Sequence, residues 1–374
     1  MNTADITIFT RMSTLAQIHG ALNLGQGFPD IDPPEFLIEK VLHCVKWGYH
    51  QYLPMAGSPE LREAIARKFE FLYGIYPDPE NEITITAGAT QAIFTAILAL
   101  IEPGDEVIIC EPAYDCYAPA VRLKGGVCVF SPLRSNNFHP DWDHIQKCLS
   151  QRTRLLILNS PHNPTGAVLN EKDFEALSTL AQQHPFLIIS DEVYEHILFD
   201  GKKHIPLFSV PAFRNRCICI YSFGKTFHCT GWKIGYAIGS QKLMSAFRRV
   251  HQYNVFAVNG IFQTALAGVL ENLKWFNSLS PFFQDLRDRF LDHMMNSRFK
   301  ILPTEGTYFQ MLDYSEITSL DDLSMAEWLT REHKLTTIPV SFFYHNRKDN
   351  HFLRICFAKS FEKLQQAAEI LCRI

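Results

Sequence analysis

The sequence predicts an α/β fold: a large domain on a mostly parallel seven-stranded sheet, with a smaller α+β domain beside it. Three observations carry this expectation. Between residues 83 and 238, seven short runs are apolar or alternate as strands do, at 83–86, 107–109, 127–130, 155–158, 186–189, 217–221 and 234–238. Most are separated by helix-length segments, which argues for parallel crossovers. Only Ser222 to Lys233 separates the last two, a glycine-interrupted stretch too short for a comfortable helical crossover, so that pair is predicted to be antiparallel. From about Pro281 the pattern changes to helix, short strands and helix, and 374 residues exceed one ordinary core.

In chain order, Ile8, Phe9, Met12, Leu15, Ala16 and His19 recur at helical spacing before Gly20, which predicts a helix over 8–19. A second helix is predicted over 35–47. Ser58-Pro59 reads as N-cap and first residue of a third, whose Leu61, Ile65, Phe69 and Leu72 share one face. After the 83–86 strand, Ile93, Ile97 and Leu100 continue at helical spacing. Helices are expected to Leu123, over 141–149 and from the Asn170 cap to His184, then over 241–255 and 260–273. In the last part, helices are predicted over 282–299, 325–333 and 361–371, with strands at 308–312, 336–338 and 352–357.

Composition excludes several classes. The chain is 47% hydrophobic and 20% charged, and no window approaches eighteen consecutive apolar residues, so a globular protein without a membrane span is expected. Met1-Asn2-Thr3-Ala4-Asp5 lacks the basic start of a secretory signal. Most of the ten cysteines fall in apolar segments and none form a CxxC pair, which suits reduced thiols in a cytoplasm. Fifteen histidines show no HExxH or similar spacing, so no metal site is expected. A net charge of −4 without a long basic run gives no support to nucleic-acid or lipid binding. No G-x-G-x-x-G follows a strand, which weakens a dinucleotide dehydrogenase reading.

Several strand ends carry chemistry. Lys225 is expected on a loop just past the 217–221 strand, where open α/β sheets place ligands. The 83–86 strand runs through Gly88 into a helix start at Ala89-Thr90, and such a start favours an anion through unpaired amides and the helix dipole. Asp191 ends another strand, as either a helix cap or a functional carboxylate. Arg354 lies among apolar strand residues and must face solvent or find an anion, because an arginine keeps its charge.

The stretch from Ser222 to Gly235, SFGKTFHCTGWKIG, resembles the pyridoxal-phosphate signature of class I and II aminotransferases. Supporting motifs follow the family's order: GQGFPD, Tyr52, AGAT, EPAYDCY, NPTG, SDEVY and LRICF. The resemblance covers essentially the whole chain and is nearest to the branch of kynurenine/glutamine transaminases and bacterial methionine aminotransferases. It implies the pyridoxal-phosphate-dependent transferase fold, fold type I, with a large domain at 34–273 and a small one from 1–33 and 274–374. Lys225 would form the Schiff base with pyridoxal 5′-phosphate. Ser222, Lys233, Ala89 and Thr90 would hold the phosphate, although the family more often has arginine where Lys233 stands. Tyr114 would stack on the pyridine, Asp191 would face its nitrogen, and Asn163 and Tyr194 would donate to its phenolic oxygen. Arg354 would pair with the substrate carboxylate, with Gly27 and Phe28 lining the substrate side. Tyr52 and Phe256 would reach across a homodimer into the neighbouring site.

The implied reaction is amino transfer from an L-amino acid to a 2-oxo acid, with Lys225 as general base and acid. Phe28, Tyr114 and Phe256 imply an apolar, aromatic pocket that favours methionine and admits phenylalanine, kynurenine or glutamine, while no second arginine suits a distal carboxylate. A cysteine-conjugate or cystathionine β-lyase uses the same residues and stays open. A pyridoxal-phosphate-sensing repressor fits less well, since the stretch before Gly25 is too short for a basic DNA-binding domain.

Overall fold

The computed structural model describes residues 6–374; Met1 to Asp5, used above to argue against a secretory signal, lie outside the described residues. One sheet has seven strands in the order Ile83–Thr86, Gly235–Gly239, Cys217–Ser222, Leu187–Asp191, Thr153–Asn159, Glu106–Glu111 and Val127–Pro132. All neighbours run parallel except Gly235–Gly239, which is antiparallel to both of its partners. The predicted reversed strand is therefore present, inserted next to the edge.

Successive residues of the central strands enter different cores. Leu155 and Ile157 pack on one face of the sheet, Leu156 and Leu158 on the other, and Ile188 and Ile189 divide in the same way. Both faces are thus covered by apolar side chains, which is why these strands read as continuous hydrophobic runs. The parallel order also gathers their C-terminal ends, placing Asn159, Asp191 and Ser222 along one edge of the sheet.

A second sheet of four antiparallel strands runs in the order Ile338–Pro339, Phe352–Cys356, Phe309–Asp313 and Lys300–Ile301, around a core of its own. Leu22–Asn23 joins this region by pairing in parallel with Leu335–Thr336. The strand expected at 336–338 is thereby divided: the chain changes neighbours at Thr337, pairing first with Leu22–Asn23 and then with Phe352–Cys356.

Two further expectations are corrected. The helix predicted over 282–299 is Lys274–His293, with Pro281 inside it. A proline within a helix costs about 3 kcal/mol, but Phe276, Leu279, Phe283, Leu286 and Phe290 bury one continuous face. At about 1.5–3 kcal/mol for each large apolar side chain, that burial outweighs the break. Lys225, expected on a loop, lies in the single helical turn Phe223–Thr226. Phe223 and Phe227 are both buried, and the Phe227 amide donates to Phe223 O at 2.8 Å, which closes the turn.

Candidate active site

A cavity of about 420 Å³ opens where the C-terminal ends of the large-sheet strands meet the four-stranded sheet. Of the residues singled out from the sequence, Gly27, Phe28, Ala89, Thr90, Tyr114, Asn163, Asp191, Tyr194, Ser222, Lys225, Lys233 and Arg354 all line it. They come from segments as distant as 27 and 354. Tyr52 and Phe256 do not line it. Their rings meet edge-on at 5.3 Å elsewhere on the surface, where they are 82% and 53% exposed.

Arg354 is the most unusual group in the cavity. It is 1% exposed on the Phe352–Cys356 strand, and its guanidinium donates only to neutral oxygens: Asn163 Oδ1 at 2.8 Å and Gly25 O at 2.9 Å. Its Nε has no hydrogen-bond partner. The plane lies 4.0 Å from the centre of the Phe309 ring, with Phe9 and Phe343 further round. A buried cation held by rings and amide oxygens keeps unspent capacity for a carboxylate.

Lys225 projects from its helical turn into the same space. Nζ donates to Tyr308 Oη at 2.8 Å and to Gly27 O at 3.0 Å. Burial, helped by the Arg354 and Lys233 charges and opposed by Cys356 and Asp191, brings its pKa down to about 8. Gly27 is required at this approach, since a Cβ there would lie 2.9 Å from Phe309 Cζ.

The opposite end of the cavity is built for an anion. The helix Ala89–Leu100 begins there with no side-chain cap, leaving its first amides without intrahelical acceptors. Gly88 makes the turn at φ 80°, and a Cβ on it would lie 3.5 Å from Lys233 Nζ. Ser222 lines the same cavity. These donors and the positive helix end converge on one region.

Asp191 lines the same cavity at the end of its strand. Burial raises its pKa to about 6, against the stabilising hydrogen bond that Tyr117 donates to Oδ2 at 2.6 Å. It is therefore ionised at neutral pH. Asn159, on the neighbouring strand, donates to the Asp191 carbonyl at 2.8 Å and accepts from the Asn163 amide at 2.8 Å, so one side chain ties the aspartate strand to the Asn163 loop.

Tyr117, Asn159 and Tyr308 were missed as site residues. Tyr117 and Asn159 belong to segments already singled out, EPAYDCY and the loop after the 155–158 run, but neither segment shows which of its polar side chains turns inward. Phe9 was read only as a residue of its helix and Phe309 was not singled out within the strand expected at 308–312; the chain crossing that brings both rings to Arg354 is non-local.

Residues 20–371 match the family described as aminotransferase class I and II. This chain belongs to that family. Among its relatives, the Escherichia coli methionine aminotransferase is 47% identical over 366 residues, covering 98% of this chain and 95% of the relative. Human kynurenine–oxoglutarate transaminase 1 is 36% identical, with 98% and 95% covered. The crystal structure of an Escherichia coli protein identified as having a methionine aminotransferase function superposes with a TM-score of 0.97, at 46% identity over 100% of this chain and 98% of that one. The N-succinyldiaminopimelate aminotransferase of Mycobacterium tuberculosis superposes with a TM-score of 0.94 at 38% identity, over 99% and 97% of the two chains. The class I and II aminotransferase fold expected from the motifs is thus the fold observed. Among the described residues, no group of potential ligands is arranged for a metal ion, and no helix is long and apolar enough to cross a membrane.

Proposed function

We propose that this aminotransferase moves the amino group of an apolar, sulfur-containing or aromatic L-amino acid, methionine above all, to a 2-oxo acid, with pyridoxal 5′-phosphate as cofactor. The carrying observation is Arg354, a buried guanidinium with neutral partners and an unpaired Nε, set in an aromatic-walled cavity. It is suited to take the α-carboxylate of an amino acid in a bidentate pair.

The residues fit the cofactor. The uncapped amides at Ala89 and Thr90, with Ser222 and Lys233, would hold its phosphate. Asp191, ionised above about pH 6, would face the pyridine nitrogen, Tyr114 would cover the ring, and Asn163 and Tyr194 would donate to the phenolic oxygen. When bound, pyridoxal phosphate supplies an electron sink for the bond broken at the substrate α-carbon. Lys225 would take the α-proton on Nζ, and burial lowers its pKa to about 8, toward the range in which an amine can serve as a base. Arg354 fixes the carboxylate and hence the direction in which the α C–H points.

Preference follows from the walls. Phe9, Phe28, Ile93, Tyr114 and Phe309 surround the cavity, and Arg354 is its one arginine among the described residues. A distal carboxylate would enter without a second guanidinium, whereas a flexible thioether conforms to irregular apolar surfaces. One methylene is worth about 1–3 kcal/mol, so donor classes rank more firmly than single apolar amino acids. The high identity to a methionine aminotransferase supports the same choice. Exposed Tyr52 and Phe256 support a homodimer in which each enters the partner's site. Buried free thiols agree with a cytoplasmic enzyme. The division into 34–273 and 1–33 with 274–374 is proposed as the boundary between the two bodies around the cavity.

The test has two arms. Borohydride reduction of protein loaded with pyridoxal phosphate, followed by peptide mapping, is expected to label Lys225. Comparison of kcat/KM for methionine, phenylalanine, kynurenine, glutamine and aspartate with one oxo-acid acceptor is expected to put methionine first and aspartate at least about tenfold lower. Aspartate as best donor would overturn the pocket assignment, and pyruvate with ammonia from a cysteine conjugate would mark β-elimination instead.

A further inference from the structure

Tyr308 contributes a hydroxyl that none of the roles above uses. The ring is fully buried and held rigidly, edge-on to Tyr194 at 5.2 Å and to Phe309 at 5.0 Å. Packing alone would be served equally by phenylalanine. The hydroxyl, however, donates to Gly27 O at 3.0 Å and accepts from Lys225 Nζ at 2.8 Å, while Nζ also donates to Gly27 O at 3.0 Å. The three polar atoms close a triangle.

We propose that Tyr308 is a positioning residue for the free amine of Lys225, holding Nζ at a fixed place whenever the lysine is not bonded to the cofactor. The proposal rests on Lys225 being the proton-transfer group of the reading above. A lysine has a long, flexible stem, so an amine released into the cavity would otherwise spread over many rotamers. Because the phenol's own proton is directed to Gly27 O, its lone pairs face the amine. Burial also pushes the phenol well above its usual pKa, so it stays a neutral partner throughout the working pH range. Proximity of this kind is worth most for a group that must act, be displaced and act again at one atom.

The same contact has a titration signature. Nζ is surrounded by Arg354, Lys233, Asp191, Cys356, Tyr194 and Tyr308. Of these, Tyr308 accepts a hydrogen bond from the amine, which favours the ammonium form. Removing the hydroxyl therefore lowers the amine pKa, in the same direction as burial.

The experiment compares wild type with Tyr308→Phe in two measurements. In cofactor-free enzyme, the pH dependence of Lys225 labelling by an amine-directed reagent, read by peptide mapping, reports the amine pKa. The variant's is expected to fall by about half a unit or more. In cofactor-loaded enzyme, a single turnover with methionine is expected to slow about tenfold, with methionine binding changed less than twofold and a larger α-deuterium isotope effect. An unmoved labelling profile or an unchanged single-turnover rate overturns the proposal. Tyr308→Leu takes the same two measurements if the phenylalanine variant misfolds. Absence of transamination by wild type would instead remove the proposed function, and the labelling comparison, which needs neither substrate nor cofactor, stands apart from that result.

Discussion

Arg354 concentrates the recognition problem in one side chain. Its partners are an asparagine oxygen and a glycine carbonyl, so replacement by alanine removes the proposed carboxylate site without leaving a buried acid unpaired. Arg354→Ala is expected to retain cofactor and fold while kcat/KM for every donor falls by about two to three orders of magnitude, the scale of a lost bidentate charged pair. Steady-state kinetics together with the cofactor absorbance of the purified variant check this, and unchanged kinetics would remove Arg354 from substrate binding. At this scale the sequence was legible where chemistry leaves few choices: a charged arginine in an apolar strand must face solvent or find polar partners, and Arg354 is buried with neutral oxygens beside it. It was illegible for Tyr308, because a tyrosine in a half-apolar run is the same letter whether its hydroxyl meets water or a lysine.

At the scale of elements, the strand ends are held by a buried polar network on the far side of Asp191. Glu192 accepts from Tyr221 at 2.7 Å, from Ser190 at 2.7 Å, from the Leu207 amide at 3.0 Å and pairs with His204 at 2.8 Å. It thereby joins the aspartate strand to the strand that leads into Lys225. One turn later Glu195 meets Lys68 of the helix Pro59–Tyr73 at 2.6 Å and accepts from Tyr73 at 2.7 Å, and Lys68 also reaches the Tyr236 hydroxyl at 2.8 Å. Breaking such a pair leaves a buried charge, so Lys68→Met is expected to cost about 3–5 kcal/mol, while Lys68→Met with Glu195→Leu costs less than the two single changes added. Urea unfolding of the three variants measures the coupling, and strict additivity would show that the pair is energetically independent. Element boundaries were read well where periodicity and caps agree, as at Ser58-Pro59 and in the Asn170 capping box. They failed at Pro281 and Lys225 because a proline and the glycine before the lysine, Gly224, signal a break locally, whereas buried aromatic faces decide the outcome.

The whole molecule leaves Trp47, Tyr49, Tyr52, Tyr253 and Phe256 exposed, with the Tyr52 and Phe256 rings edge-on at 5.3 Å. A symmetric dimer would cover such a face. Mixing Lys225→Ala with Tyr52→Ala subunits under exchange is expected to yield activity above both parents, since one site of each mixed dimer is intact. A fully active monomer in sedimentation at assay concentration would end that proposal. The reversed strand also sets an order in time. Ile83–Thr86 has a single sheet neighbour, Gly235–Gly239, so on a chain emerging from the ribosome the backbone of its paired edge has no strand partner until residue 239 has been made. The helix start at Ala89-Thr90, proposed to hold the phosphate, gains Ser222 and Lys233 beside it only as that later stretch is made, and Arg354 is synthesised later still. Vectorial synthesis thus completes the half of the cavity that would hold cofactor before the half that would hold substrate.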